Sequence, residues 1–500
     1  MATDTAKNNR TASENYGPFD WLQRRGFFLA PVFSLAAAIA TYFRLREFSD
    51  PPGLNGYFYL KQTKTLAESA TFYFGDHSLS FLPLVLLRWL TGNELLAFQI
   101  GIPLVLFAAG AGICYLVDRI PARAYEKTVA QVVILFALYS SSFFSEFALN
   151  FFKNLTAAAL LIWCGGFLLG GRRRLAFGFF VLAFLTHKSV ALVGAIFLLA
   201  WGLRQLRDLF VKRDFRILGV LAAAAMLALV FGLVFLFHFP KAQAFLEYAG
   251  NTFAPPGTRL RWWGYVFRVL PQRGAEVAAW ALFLAAFVGG RRFLPAPARL
   301  IADTAFLLFL FAVHPFQTVG PATLGYRQVL LLPILLYPLA AFVLYFPSRF
   351  RLAGLLPLAG ALYFSFAPLG FKANAVAKQI RPFSDLRAGV EKIPEIVRPE
   401  DHLTSHHGLE FYIDYVTNIR SRSFLAAEGF TGSRYRVVYM PRWKLRGGPA
   451  RDGLDQANLL DLGKGYMLMP EEDWDEIDSE YELPPSWKNL FGRRPAHVYE

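Results

Sequence analysis

Apolar runs of membrane-spanning length recur from about Phe27 to about Phe366, and clusters of basic residues fall in alternate gaps between them. A helix needs about 20 apolar residues, within roughly 17 to 25, to cross the hydrocarbon core. On that measure the runs predict about eleven spans, at 27–44, 95–117, 129–148, 155–170, 175–189, 190–203, 217–238, 275–290, 299–315, 328–346 and 352–368. The segment 175–203 also reads as one long piece. After Gly370 the rhythm stops and a polar tail follows. The pattern predicts a polytopic α-helical membrane protein with a small C-terminal α/β domain. Its parts are an N-terminal segment at 1–26, a transmembrane domain at 27–370 and a soluble domain at 371–500.

The charges orient the chain. With the N-terminus cytoplasmic, the inside segments hold Arg24 and Arg25, then Arg119, Arg123 and Lys127, then Arg172 to Arg174. Arg204, Arg207, Lys212, Arg213 and Arg216 follow, then Arg291 and Arg292, then Arg349 and Arg351. Inside loops enriched in Lys and Arg are what the positive-inside rule requires. An odd span count then places the tail outside, and one span more or fewer would reverse it.

The outside segments differ in kind. The first, 45–94, is long for a connector. Within it SFLPLVLLRWL (80–90) is too short to span and reads as an interfacial or re-entrant helix. Another, 239–274, carries Lys241, Arg259, Arg261, Arg268 and Arg273 among Trp262, Trp263 and Tyr265, against the charge rule. In the tail, HLTSHHG, YRVVYM and KGYMLMP read as strands, and GLEFYIDYV and PEEDWDEI as helices.

Composition sharpens the class. Hydrophobic residues make up 55% of the chain and charged residues 17%, so one soluble core could not cover the apolar surface. The 51 Phe and 10 Trp suit lipid-facing surfaces and interfacial belts. The net charge of +15 sits mostly in loops between spans, and no basic stripe lies on a nucleic-acid-reading module, so nucleic acid is not a partner. Cys114 and Cys164 both lie inside apolar runs, leaving the tail without a disulfide framework. The polar N-terminus contains no cleavable signal pattern, and the run after Arg25 reads as a signal-anchor span.

The first chemistry lies in the long outside loop, where Asp50, Glu68, Asp76 and His77 stand beside the membrane. A carboxylate there can act as a base or hold a metal. It can equally cap a helix, as Asp50 before Pro51 and Asp76 near Ser78 would. This loop resembles that of the GT-C superfamily of polytopic glycosyltransferases that use lipid-phosphate sugars. The resembling features are an N-terminal span, a long external loop with acidic residues and a G-Y-F-Y-L helix, a membrane-surface segment S-x-x-F-x-P-L, and then the second span. The resemblance implies a sugar passed from a polyprenyl-phosphate donor to a glycan, lipid or protein acceptor on the extracytoplasmic face. The membrane would be the bacterial cytoplasmic one. It also implies a catalytic acid in the loop. The family commonly has an acidic residue just before the aromatic pair, where this chain has Asn55, and an amide cannot act as a base. Asp50 and Asp76 are therefore the candidates, with a divalent ion, magnesium or manganese, left open as a cofactor.

Other segments fit the same chemistry. In SSSFFSEFALNFFKNL (140–155), Glu146, Asn150 and Lys153 share a face if the segment is one helix, and Glu146 resembles a second acidic residue of the family. In LTHKSV, His187 and Lys188 lie near the outer end of a span or in a tight turn, where they can meet a phosphate or snorkel to the interface. Arg259, Arg261 and Arg268, beside two tryptophans, can grip a polyprenyl phosphate headgroup or ordinary anionic lipid. Arg327 in GYRQ is a further candidate for that headgroup. His402, His406, His407 and Glu410 match no standard zinc spacing and read as a strand-to-helix junction. Two other functions fit the same residues. One is a transporter or flippase of an anionic lipid or glycan, disfavoured by the absence of an internal repeat. The other is a non-catalytic scaffold for envelope assembly, which Asn55 keeps open.

Overall fold

A computed structural model of the chain describes residues 20–53, 55–73, 76–187, 190–212, 274–313, 332–347, 382–405, 408–422, 432–439 and 460–470. The expected spans at 217–238 and 352–368 lie outside these residues, as does all but the first residue of PEEDWDEI.

The membrane helices begin with α1 (Asp20–Arg46), which turns Val32, Leu35, Ile39 and Phe43 outward as a lipid-facing stripe. α4 (Glu94–Asp118) starts where Asn93 accepts a hydrogen bond from the Leu96 amide at 2.8 Å, satisfying one of the free N–H groups of its first turn. α5 (Ala124–Ser140) starts where Glu126 reaches back to the Arg123 amide at 3.0 Å. Polar contacts join these helices inside the bundle. Ser34 and Tyr139 share a hydrogen bond of 2.7 Å, and Tyr139 also donates to the Leu106 carbonyl at 2.9 Å. Such bonds hold transmembrane helices together where lipid removes the hydrophobic drive.

The expected span 129–148 is broken. α5 ends at Ser140, Ser141 is extended, and α6 (Ser142–Asn150) restarts with the Ser141 hydroxyl accepting from the Phe144 amide at 3.1 Å. The pair is bent by 69°. A run of three serines explains the break, because serine caps helices better than it extends them. A second break at Phe151 (φ −128°, ψ 61°) separates α6 from α7 (Phe152–Leu169). Segment 175–203 is two helices, α8 (Arg173–Thr186) and α9 (Val190–Lys212). α10 (Gly274–Gly290), α11 (Ala296–Val313) and α12 (Leu332–Tyr345) follow, the last tightening to 3₁₀ geometry from Tyr337. Among the described residues, α4 and α7 are each long and apolar enough to cross a membrane, and the bent α5–α6 pair makes a third.

The outside loop folds into two helices. α2 (Gly56–Ser69) is buried along Tyr57, Tyr59 to Thr63, and α3 (Phe81–Thr91) buries Phe81, Leu84 and Val85. The other face of α3 exposes Leu82, Leu86, Trp89 and Leu90. Arg88 pins α3 in place, donating to Glu68 of α2 at 2.7 Å and to Glu94 of α4 at 2.9 Å.

The tail folds as a sheet of five described strands in the order β2-β1-β3-β5-β4. β1 (His402–Thr404) runs parallel to β2 (Ser421–Arg422) and β3 (Arg434–Tyr439). β5 (Tyr466–Pro470) is antiparallel to β3 and to β4 (Leu460–Gly463). The strands expected in HLTSHHG, YRVVYM and KGYMLMP are β1, β3 and β5. The helix expected in GLEFYIDYV is α13 (Leu409–Thr417), which crosses between the parallel β1 and β2.

α13 is also the dock for α2. Phe58 packs against Phe411, and Tyr57 against Tyr412 and Tyr415, with ring centroids 4.7 to 5.5 Å apart. The loop and the tail are therefore on one side of the membrane. Burial, and then the hydrogen bond to Asp50, hold the Tyr57 hydroxyl far above its ordinary pKa. Burial likewise pushes Tyr415 up to about 12. A phenol with a raised folded pKa stabilises fully below its unfolded value near 10 and loses that contribution as pH rises above it, by about 1.4 kcal/mol per pH unit for each group held neutral. The dock is expected to open only above about pH 10, with tyrosinate absorbance and tail release in a protease digest rising together.

Candidate functional site

The candidate site is the hinge where α6 ends and α7 begins, met from two sides by the outside loop. On one side the loop turns at Gly53, whose φ of +80° suits glycine. A Cβ there would stand 2.7 Å from the Leu149 carbonyl oxygen and 2.8 Å from Asn150 Cα, so the turn lies directly on the end of α6. Gly53→Ala is expected to destabilise the chain by about 1–3 kcal/mol through overpacking and the unfavourable φ, read as a lower unfolding midpoint of the purified protein.

Asp50, three residues earlier, is 3% exposed. It accepts from the Tyr57 hydroxyl at 2.5 Å, from the Ser384 amide at 2.9 Å and from the Ser384 hydroxyl at 2.5 Å. The Ser49 hydroxyl adds a longer contact at 3.4 Å. It does not cap α2, whose N-cap is Asn55. Ser384 belongs to the tail, in the 3₁₀ turn Phe383–Leu386. Asp50 thus ties the loop to the tail, with both carboxylate oxygens engaged.

On the other side Asp76 pairs with Lys153, at the start of α7. The side chains keep 22% and 20% of their surface exposed. The Lys153 ammonium also lies 5.5 Å from the Phe58 ring centroid and 6.0 Å from that of Phe81. Beyond Asp76 the chain meets the turn between α8 and α9. Ser78 donates to the Thr186 carbonyl at 2.5 Å, and the Leu79 amide to the Leu185 carbonyl at 3.3 Å. His187 is the C-cap of α8. This turn therefore lies on the same side as the outside loop, next to the segment that carries Asp76.

Glu146 and Asn150 share α6, where the Asn150 amide donates to the Glu146 carbonyl at 2.9 Å. Lys153 does not continue that face, because the break at Phe151 intervenes. Asp76 with Lys153 and the segment that ends at His187 thus meet beside the hinge, Glu146 lies on the helix leading into it, and Asp50 is consumed at the neighbouring tail contact. Lys188, Arg259, Arg261, Arg268, Arg327, His406 and His407 lie outside the described residues. His402 is buried on β1 and Glu410 is buried in the first turn of α13.

The sequence reading missed a second tie between loop and tail. Lys61 of α2 pairs with Asp414 of α13 at 3.0 Å. It also donates to the Asp414 carbonyl at 2.9 Å and to Asn418 at 2.7 Å, so all three ammonium donors find acceptors. Tyr73 donates to the other Asp414 oxygen. A lysine amid apolar helix positions was the signal available, but its partner lies in another domain.

No family model matches the chain, and no curated protein does. Solved structures match along most of its length. Apo ArnT from Cupriavidus metallidurans aligns with a TM-score of 0.51 and 14% identity, covering 88% of this chain and 97% of that one. ArnT of the same organism bound to undecaprenyl phosphate aligns with a TM-score of 0.53 and 14% identity, covering 91% and 98%. The chain is a polytopic helical membrane protein with a small sheet domain, and its fold is GT-C-like.

Proposed function

We propose that the protein is a membrane glycosyltransferase that moves a sugar from a polyprenyl-phosphate donor to an acceptor hydroxyl. The reaction would take place at the extracytoplasmic face of a bacterial cytoplasmic membrane, the side on which loop and tail meet. The observation that carries this reading is the shared fold, which runs through both membrane and soluble parts and includes a relative holding undecaprenyl phosphate.

Contacts among the described residues support roles for Asp76, Lys153 and Asp50. Asp76 is the partly open carboxylate beside the hinge and serves as the base for the acceptor hydroxyl. Glu146 assists from α6. Lys153 and the His187 turn, with Lys188, Arg259, Arg261, Arg268 and Arg327, favour the negative charge that develops on the departing phosphate. Asp50 positions the loop. Among the described residues no group of three or more His, Cys, Asp or Glu converges and the Asp50 oxygens are already taken, so Asp76 is the carboxylate that would meet a divalent ion, magnesium or manganese, arriving with the donor phosphate.

The test is a mass-spectrometric profile of envelope glycolipids and glycoproteins in a deletion strain, with and without the wild-type gene. A species lacking one sugar, restored by complementation, supports transfer. An unchanged glycan set, with the lipid-linked intermediate on the wrong leaflet, would make the protein a flippase.

A further inference from the structure

Lys61 in the outside loop and Lys153 at the start of α7 stand in opposite states. Lys61 is locked by three acceptors in a buried contact. Lys153 has a single acceptor among the described residues, Asp76 Oδ2, and two phenylalanine rings. Two of its ammonium donors are thus unspent. The second Asp76 oxygen likewise has no donor among the described residues. A lysine ammonium with ring centroids at 5.5 and 6.0 Å and 20% of its side-chain surface exposed is partly dehydrated and gains from an anion with more than one acceptor atom. A phosphate offers more acceptor oxygens than the one Asp76 oxygen that Lys153 reaches.

We propose that Lys153 is a ligand of the donor phosphate and that Asp76 is its resting partner. Donor binding then moves Lys153 from carboxylate to phosphate and frees Asp76 to act as the base. The inference rests on the proposed reaction and adds a gate to it. In the transfer step, the acceptor hydroxyl gives its proton to Asp76, and its oxygen supplies the electron pair for the new bond to the sugar's anomeric carbon. The old bond from that carbon to the phosphate oxygen breaks, and its electron pair leaves with polyprenyl phosphate. The phosphodiester thereby becomes a phosphomonoester with one more negative charge, so the contact with Lys153 strengthens as the bond breaks. Without donor, the carboxylate is held by lysine and does not activate water or acceptor.

The experiment measures binding of undecaprenyl phosphate to the full chain in nanodiscs, for wild type, Asp76→Asn, Lys153→Gln and Lys153→Arg. Removing the internal competitor is expected to tighten binding in Asp76→Asn by about three- to tenfold, and Lys153→Gln to weaken it by about tenfold or more. Lys153→Arg keeps the charge and is expected to stay close to wild type. The gain in Asp76→Asn is a result that misfolding cannot imitate. If both Asp76→Asn and Lys153→Gln weaken binding alike, the pair is a structural tie and the inference falls. If neither changes it, the inference falls while the proposed function stands. If the wild-type protein binds no undecaprenyl phosphate, both fall.

Discussion

Asp414→Ala is expected to lower the stability of the folded chain by about 3–5 kcal/mol, the range for breaking one side of a buried ion pair. Asp414 is 3% exposed, and its two oxygens receive Lys61 and Tyr73. Removing the carboxylate leaves a lysine charge and a phenol inside the seam between α2 and α13. The cost is the stranding of these groups rather than the loss of a favourable pair, because desolvating two charges offsets most of their attraction. Lys61→Met with Asp414→Leu is therefore expected to regain the part of the loss that the stranded lysine costs, while the Tyr73 hydroxyl still lacks its acceptor. Thermal unfolding and limited proteolysis of the purified protein check both statements. The single variant should release the tail earlier than the double variant. A loss below about 1 kcal/mol, the scale of an exposed ion pair, would mean the seam is open to water.

This seam marks the boundary of what the sequence made legible. Span-length apolar runs locate α1, α4 and α7, because bilayer thickness imposes a length that few other structures need. The short run 80–90 is likewise visible as α3. The breaks at Ser141 and Phe151 were less visible, since an apolar run continues through both and only serine chemistry hints at the first. The acids of the outside loop stood out as a set, yet their roles separate only in space. Asp50 is spent on Ser384, which lies 334 residues away in sequence, while Asp76 meets Lys153 across 77. Nothing local distinguishes them, because each partner is brought in by the packing of another element. The same holds for Lys61 and Asp414, 353 residues apart.

That separation of roles yields the largest expected effect on activity. Asp76→Ala is expected to cut the turnover rate for sugar transfer by about 10²–10⁴-fold, the contribution of a positioned general base, with the fold retained. The side chain is partly open and its partner Lys153 reaches the surface, so neither is stranded in a dry core when the carboxylate goes. Asp50→Asn is expected to behave in the opposite way. Its oxygens face three donors from Tyr57 and Ser384, and an amide would turn an N–H group toward one of them. Loss of activity there should come with a lowered unfolding midpoint and earlier release of the tail. Turnover with a polyprenyl-phosphate sugar donor, measured beside unfolding midpoints for both variants, separates the two. If Asp76→Ala transfers sugar at the wild-type rate, the base lies elsewhere, and Glu146 becomes the residue to remove next. If Asp50→Asn keeps its midpoint but loses turnover, Asp50 takes part in the chemistry despite its burial, and the tie to Ser384 opens during the cycle.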